Sequence, residues 1–187
     1  MKKSIITILA ATTLSAGALT GAAFADSNDT AEIAAFQKAQ HDVIAGIKAA
    51  ETASGGKAVS AEFDHENGAG LWEVETVNGT KYAEVRIDAA TGNVVSTKDK
   101  SDRDDAVTPQ MLGAPLADLA SKAAATGAGK VMSIEAEHDD GKFRGIEVEI
   151  LRADGTVHDF ILGAADGKLT PAVEGRDDQN MTGENNG

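Results

Sequence analysis

Carboxylates recur at every second position along several segments of this chain of 187 residues. Residues two apart on a β-strand point to the same face of a sheet, so each alternating run is expected to line one face. The first half supplies Glu62, Asp64, Glu73, Glu75 and Glu84, and the second half supplies Glu135, Glu137, Glu147, Glu149 and Asp159. Such a face could bind a basic protein, a cationic peptide or a divalent cation. An ordinary solvated sheet face is the alternative interpretation.

The two sets differ in how their charges are balanced. Like charges directly opposite each other across strands cost on the order of a few tenths of a kcal/mol each. Lys81 and Arg86 are placed to relieve the first set, whereas the second set has few basic residues nearby. The residues predicted to bind a partner or cation are Glu73, Glu75, Glu84, Glu135, Glu137, Glu147, Glu149 and Asp159.

Other residues that could carry chemistry form no recognisable catalytic set. His65 and His138 each stand among carboxylates, but their spacing fits neither a zinc site nor an EF-hand, so they are expected to end the core face of a strand. Neither HExxH nor Gly-x-Ser-x-Gly occurs, and the segment 127–130 has only part of a phosphate-loop pattern. We therefore predict no enzyme, no catalytic residue, no metal site and no cofactor.

The predicted helix and strands that position these residues occur twice in the sequence. Apolar residues three and four apart predict a helix from Phe36 to Ala50, which Gly55 and Gly56 end. Three strands follow, centred on residues 59–63, 72–76 and 83–87. Asn78-Gly79 predicts a two-residue type I′ hairpin between the last two strands, because both of its central residues need positive φ. The second half repeats the order from Leu116 onward.

The two halves align at nearly constant spacing. Inward positions match at an offset of 73 residues in the first strand, 74 in the second and 75 in the third. The offset changes only in turns, where insertions are tolerated. We therefore predict an α+β fold of two tandem two-layer units, each with one helix packed on a three-stranded antiparallel sheet. The two sheets could join edge to edge, or the units could pack in another way.

The N-terminal segment and the composition indicate the cellular location of the protein. Lys2 and Lys3, an apolar run and Ala23-Phe24-Ala25 predict a signal peptide over residues 1–25. No later segment is apolar for the roughly 20 residues that a transmembrane helix needs, and there is no cysteine. The protein is thus expected to be exported and not inserted in a membrane, in the periplasm or, alternatively, secreted.

The charge narrows the choice of partner. The chain has 17 basic and 30 acidic residues, a net charge of −13, and loss of Lys2 and Lys3 would leave 15 against 30, or −15. Nucleic acids and anionic lipids are therefore not expected to bind. The predicted organisation is a first repeat at 36–98, a charged linker at 99–112, a second repeat at 113–173 and a disordered acidic tail at 174–187.

Motifs in the first repeat resemble the PepSY family. They are the segments Gly70-Leu-Trp72-Glu-Val74-Glu75, Asn78-Gly79 and Val85-Arg-Ile87-Asp88-Ala-Ala-Thr-Gly92-Asn-Val94. The second repeat keeps Gly145-Ile-Glu-Val148-Glu, Asp154-Gly155 and Asp166-Gly167-Lys-Leu169, but has Ile146 in place of the tryptophan and Gly163 in place of Asp88. The resemblance covers turns and core positions and implies no catalytic residue.

The resemblance also implies a function. PepSY domains occur in propeptides of thermolysin-type metallopeptidases and in small exported proteins, and the family is proposed to restrain peptidases near the cell surface. The expected function is therefore an exported, non-enzymatic binding protein that restrains a peptidase or other envelope protein. The alternative is a sensor or binder of cations or cationic peptides that uses the acidic sheet faces.

Overall fold

The computed structural model describes residues 27–100, 107–139, 142–163 and 166–172. For residues 27–29, 137–139, 142 and 144 it describes the backbone only. The predicted signal peptide and acidic tail, and residues 101–106 of the predicted linker, lie outside the described residues. None of the helices in the described ranges is long and apolar enough to cross a membrane.

The described residues form three α-helices, where one was predicted per half. The first half contains two helices, α1 (Ser27–Lys38) and α2 (Val43–Ser54), and the second contains α3 (Leu116–Gly127), preceded by a 3-10 helix (Pro109–Leu112). The predicted continuous helix from Phe36 to Ala50 is wrong because Asp42 starts a new helix, its carboxylate accepting a 2.9 Å hydrogen bond from the amide of Ala45. Gly55 ends α2 in the left-handed conformation, at φ 66°.

Within the described ranges, eight strands form a single antiparallel sheet. They are β1 (Lys57–Glu66), β2 (Ala69–Asn78), β3 (Lys81–Asp88), β4 (Val94–Asp99), β5 (Gly129–Asp139), β6 (Lys142–Arg152), β7 (Val157–Leu162) and β8 (Leu169–Pro171). Their order across the sheet is β4-β3-β2-β1-β5-β6-β7-β8, with every neighbouring pair antiparallel. The sequence repeat therefore reappears as two four-stranded halves that meet at β1 and β5.

The joint between the halves follows the repeat. Ala61 pairs with Ile134 across β1 and β5, and these two residues are separated by the same 73 positions that relate the two repeats. Because these two counterparts lie directly opposite each other, the joint between the antiparallel strands has an approximate two-fold axis there. Joining the inner edges also satisfies backbone groups that two separate sheets would leave exposed.

The α+β class is confirmed, but separate units of one helix on three strands are not what the structure contains. The strands form one continuous sheet, which is the edge-to-edge alternative. The missed strands are β4 and β8, each the outermost strand of its half. Edge strands carry weak sequence signals because neither face need be buried, and β4 is exposed along most of its length.

The predicted type I′ hairpin centred on Asn78-Gly79 is wrong in both position and type, because the turn lies one residue later. Asn67 and Gly68, between β1 and β2, both have positive φ, 53° and 84°, as a type I′ turn requires. Between β2 and β3 the turn residues are Gly79 and Thr80, and only the glycine has positive φ. Asn78 instead ends β2 and donates a 3.1 Å side-chain hydrogen bond to the carbonyl of Gly55.

Helices α2 and α3 cover one face of the sheet. The core there is built from both halves, with Ala61, Ile134 and Val148 fully buried. At the end of α1, the ring of Phe36 packs edge-on against the rings of Phe63 and Trp72, with centroids 5.0 and 5.9 Å apart. The opposite face of the sheet carries the carboxylates.

The Asp-Ala-Ala-Thr-Gly segment after β3 is a structural turn. The Asp88 carboxylate accepts hydrogen bonds from the amides of Ala90 and Thr91 and from the Thr91 hydroxyl, at 2.7–3.0 Å. The bonds from Thr91 lower the pKa of Asp88, since they favour the charged carboxylate. Gly92 has φ 73° and lies against His41, where a Cβ atom would be 2.9 Å from the ring. These residues fix the return of the chain into β4.

Candidate functional site: an acidic sheet face

The candidate site is the sheet face opposite α2 and α3, named here the acidic face. Strand register arranges its polar residues in two rows that cross the sheet. The first row is Ser96, Arg86, Glu73, Glu62, Ser133, Glu149 and Asp159. The second is Lys98, Glu84, Glu75 and Ser60 in the first half, then Glu135, Glu147 and Ile161 in the second half. The sheet thereby brings carboxylates from both halves onto one surface.

In the first half, Arg86 is the centre of an ion-pair network. Its guanidinium lies 2.6 Å from Oε1 of Glu73, 2.7 Å from Oε2 of Glu66 and 3.3 Å from Oε1 of Glu84. Burial opposes the charge on Arg86, yet the surrounding carboxylates, Glu73 foremost, raise the pKa of Arg86 overall. The arginine therefore holds three carboxylates at once.

Among the carboxylates of this face whose side chains are described, Glu84 is the most buried, with 7% of its surface exposed. Lys100 Nζ lies 2.6 Å from one of its oxygens, and Lys98 Nζ lies 3.8 Å from the other. Burial alone would raise the pKa of Glu84, but the hydrogen bond and charge of Lys100, together with the charges of Arg86 and Lys98, lower it. Both lysines come from β4 and the residue just after it, the segment in which the sequence predicted the start of a linker.

A small cavity opens on the acidic face beside the joint of the two halves. Its volume is about 150 Å³. The lining residues are Ser60, Glu62, Glu73, Glu75, Glu84 and Glu135. Ser60 donates a 3.4 Å hydrogen bond to Oε2 of Glu75, so part of this wall is held in place.

The second half of the face has a different electrostatic character. Glu149 lies directly opposite Asp159 on β7 and opposite Ser133 on β5. Burial, followed by the charges of Asp159, Glu62, Glu135 and Glu32, raises the pKa of Glu149 to about 8. At neutral pH this carboxyl group is therefore largely protonated.

One substitution between the repeats removes a cation from the second half of this face. At the offset of 75 that relates β3 to β7, Ile161 stands where the first half has Arg86. Ile161 packs on Gly145, where a Cβ atom would lie 2.6 Å from Cγ2 of the isoleucine. The cation that ties the first half together is thus replaced by an apolar contact in the second.

The predicted residues are placed as follows. In the first half, Glu73, Glu75 and Glu84 gather around the cavity, and Glu135 joins them from the second half. Glu149 and Asp159 lie side by side, and Glu147 lies opposite Glu135 on the same face. The side chain of Glu137 falls outside the described residues.

The structure also identifies residues that the sequence analysis missed. Lys98 and Lys100 reach the acidic face because β4 is a strand, and the alternation of Ser96, Lys98 and Lys100 was the signal for it. His65 is half-buried near the end of β1, while the side chain of His138 lies outside the described residues. Within the described ranges, no group of three or more His, Asp or Glu side chains is arranged to hold a metal ion.

Residues 45–98 match the family model for PepSY, described as "Peptidase propeptide and YPEB domain". The match runs from α2 to β4 and supports the PepSY family for the first half, whereas the family model does not extend to the second half. No curated protein matches the chain. A solved structure of a "putative lipoprotein" from Clostridium difficile 630 is similar at 16% identity and a TM-score of 0.40, covering 71% of this chain and 91% of the other.

Proposed function

We propose that the protein is an exported, non-enzymatic PepSY-domain protein that binds and restrains a peptidase or another envelope protein. The observation that carries this proposal is the match of residues 45–98 to a family described as a peptidase propeptide domain. A propeptide-type domain acts by contact with a folded partner. A rigid sheet with one open face is suited to that role.

We extend the proposal to the second half as a diverged copy of the same domain. The repeat offset that returns as the Ala61 and Ile134 pairing supports this extension. So does the shared pattern of glycine turns and outward carboxylates. Replacement of the tryptophan by Ile146 and of Arg86 by Ile161 is the divergence. The protein would thus present two related but unequal binding surfaces.

Inhibition of a peptidase tests the proposed function. The exported form, residues 26–187, would be added to purified secreted peptidases of its own organism, thermolysin-type enzymes first. Hydrolysis of a chromogenic peptide should fall until one inhibitor is present per peptidase, and the two proteins should co-elute in size-exclusion chromatography. If neither a complex nor inhibition appears with any exported peptidase, the peptidase-restraint proposal is wrong.

A second candidate function is the binding of a cationic peptide on the acidic face. The cavity walled by carboxylates from both halves favours it. Because no described group of side chains is arranged for a metal ion, an extended basic ligand fits this face better than a single bound cation. Calcium binding remains the other form of this candidate.

Titrations with a peptide and with calcium distinguish cationic-peptide binding from calcium binding. A labelled oligolysine and calcium chloride would be titrated separately against the wild-type protein and against a double variant, Glu75→Gln with Glu135→Gln, in which one cavity-lining carboxylate from each half is neutralised. Weaker oligolysine binding by the variant, and a steep loss of binding with added salt, would support the peptide. Equal binding by both proteins would exclude these residues, and a calcium-dependent rise in melting temperature would point to the cation instead.

A further inference from the structure

In the second half of the acidic face, the carboxyl groups of Glu149 and Asp159 lie directly opposite each other across two antiparallel strands. Glu149 is half-buried between Ser133 and Asp159, which flank it in register on β5 and β7. Within the described parts of the chain, Glu149 makes no ion pair and no side-chain hydrogen bond. Two carboxylates directly opposite each other across antiparallel strands repel, and partial burial strengthens the repulsion.

The charged groups with the greatest effect on Glu149 come from four elements and are all acidic. They are Asp159 on β7, Glu62 on β1, Glu135 on β5 and Glu32 on α1. Desolvation is the largest cause, and these charges add to it, which raises the pKa of Glu149 to about 8. Geometry and electrostatics therefore agree that ionised Glu149 is disfavoured in the folded protein.

The first half shows what a balanced version of the same surface looks like. Glu75 is the counterpart of Glu149 at an offset of 74, and Glu84 is the counterpart of Asp159 at 75. There Arg86, Lys98 and Lys100 neutralise Glu84. In the second half the counterpart of Arg86 is Ile161. The imbalance is therefore a property of this half and not of the fold.

We propose that the second half of the acidic face, centred on Glu149, is a pH-sensitive element. Its folding stability rises as the surroundings become acidic and falls as they become alkaline. This inference concerns the regulation of the proposed binding face, but it stands without any partner. An exported protein is exposed directly to the pH of its surroundings. Strands β6 to β8 lie beyond the joint, so they would be the first to unfold as the pH rises.

The direction follows from proton linkage. An unfolded glutamate titrates near its ordinary pKa of 4.5, whereas folded Glu149 holds its proton up to about pH 8. Below 4.5 both states are protonated and there is no penalty. Between 4.5 and 8 only the folded state keeps the proton, so stability falls as pH rises. Above 8 both states are ionised and the loss is complete.

The experiment compares two probes of unfolding across pH. Trp72 is the single tryptophan, is fully buried and belongs to the first half, so its fluorescence reports that half. Far-UV circular dichroism reports the whole sheet. Urea unfolding of residues 26–187 would be followed by both signals at pH 5.5 and pH 8.5. The two midpoints should coincide at pH 5.5, and the dichroism midpoint should fall below the fluorescence midpoint at pH 8.5.

Matched variants assign the effect to Glu149. Glu149→Gln should remove most of the fall in midpoint between the two pH values, and the counterpart Glu75→Gln should leave that fall unchanged. A ¹³C NMR titration of the wild-type side chain gives an answer that needs no variant, with Glu149 expected to titrate at least two pH units above the ordinary value of 4.5. Titration near 4.5, or an unchanged pH dependence in Glu149→Gln, would overturn the proposal. Since neither readout involves a peptidase, failure here leaves the proposed function standing.

Discussion

The two halves of the acidic face share a backbone plan and a carboxylate pattern but differ in their cations. In the first half, Arg86, Lys98 and Lys100 contact Glu84 at 2.6–3.8 Å. In the second half, Ile161 replaces the arginine and Glu149 stays protonated to about pH 8. A sheet face can therefore keep its pattern of acidic residues while the pKa of one of them shifts in the opposite direction, because the pKa depends on burial and on the neighbouring charges.

The difference also gives the halves opposite responses to pH. The pKa of Glu84 is lowered, so its contribution to stability is present above the ordinary value of 4.5 and is lost as pH falls below it. Glu149 has a raised pKa, so its half is most stable in acid and loses stability between 4.5 and about 8. With respect to these two groups, the whole chain should be most stable in mildly acidic solution.

The largest change in stability is expected when Arg86 in the first half is replaced by isoleucine, the residue at the equivalent position of the second half. Arg86→Ile removes the shared partner of Glu66, Glu73 and Glu84, of which Glu73 and Glu84 are largely buried. Removing one member of a buried pair costs about 3–5 kcal/mol, and partial exposure of Arg86 reduces this to about 2–3 kcal/mol. Thermal unfolding at pH 7 should show the loss. A change below about 0.5 kcal/mol would mean that the network contributes nothing measurable.

The reverse exchange should have a smaller effect of opposite sign. Ile161→Arg places a guanidinium opposite Glu147 and two residues from Asp159, as Arg86 is placed relative to Glu73 and Glu84. We expect about 1 kcal/mol of stabilisation at pH 8, less the lost packing on Gly145. The NMR titration of Glu149 should move toward lower pH. Ile161→Gln is the matched control, since it adds a polar group without the charge.

Much of this arrangement was open to sequence reasoning. The alternation of residues such as Glu147 and Glu149 placed them on one face. The offset of 73 identified Ala61 and Ile134 as counterparts, but it did not predict that they pair at the joint. Weak local signals hid the rest. Strand β4 begins with two adjacent exposed valines and alternates only afterwards, and β8 has three residues. Lys100 was therefore assigned to the linker, and Lys98 became the last residue of the predicted first repeat.

Long-range electrostatics were the other limit. The sequence indicated that the second set of carboxylates has few basic residues nearby, but it could not single out Glu149. That residue is special because β1, β5 and β7 bring Glu62, Glu135 and Asp159 around it, and because it is half-buried. Proximity of this kind depends on strand order, and strand order across the joint is not encoded by any local pattern.

The smallest predicted effect separates the two lysines that β4 brings to Glu84. Lys100 lies 2.6 Å from the carboxylate and donates a hydrogen bond, whereas Lys98 lies 3.8 Å away and is more exposed. Lys100→Gln should therefore cost about 1 kcal/mol at pH 7 and low salt, and Lys98→Gln no more than about 0.3 kcal/mol. Urea midpoints of the two variants provide the measurement, with each acting as the control for the other. Because Glu84 is nearly buried, the Lys100 effect should persist in 0.5 M salt while the Lys98 effect disappears. Equal effects of the two variants would show that net charge, and not the contact with Glu84, balances the first half.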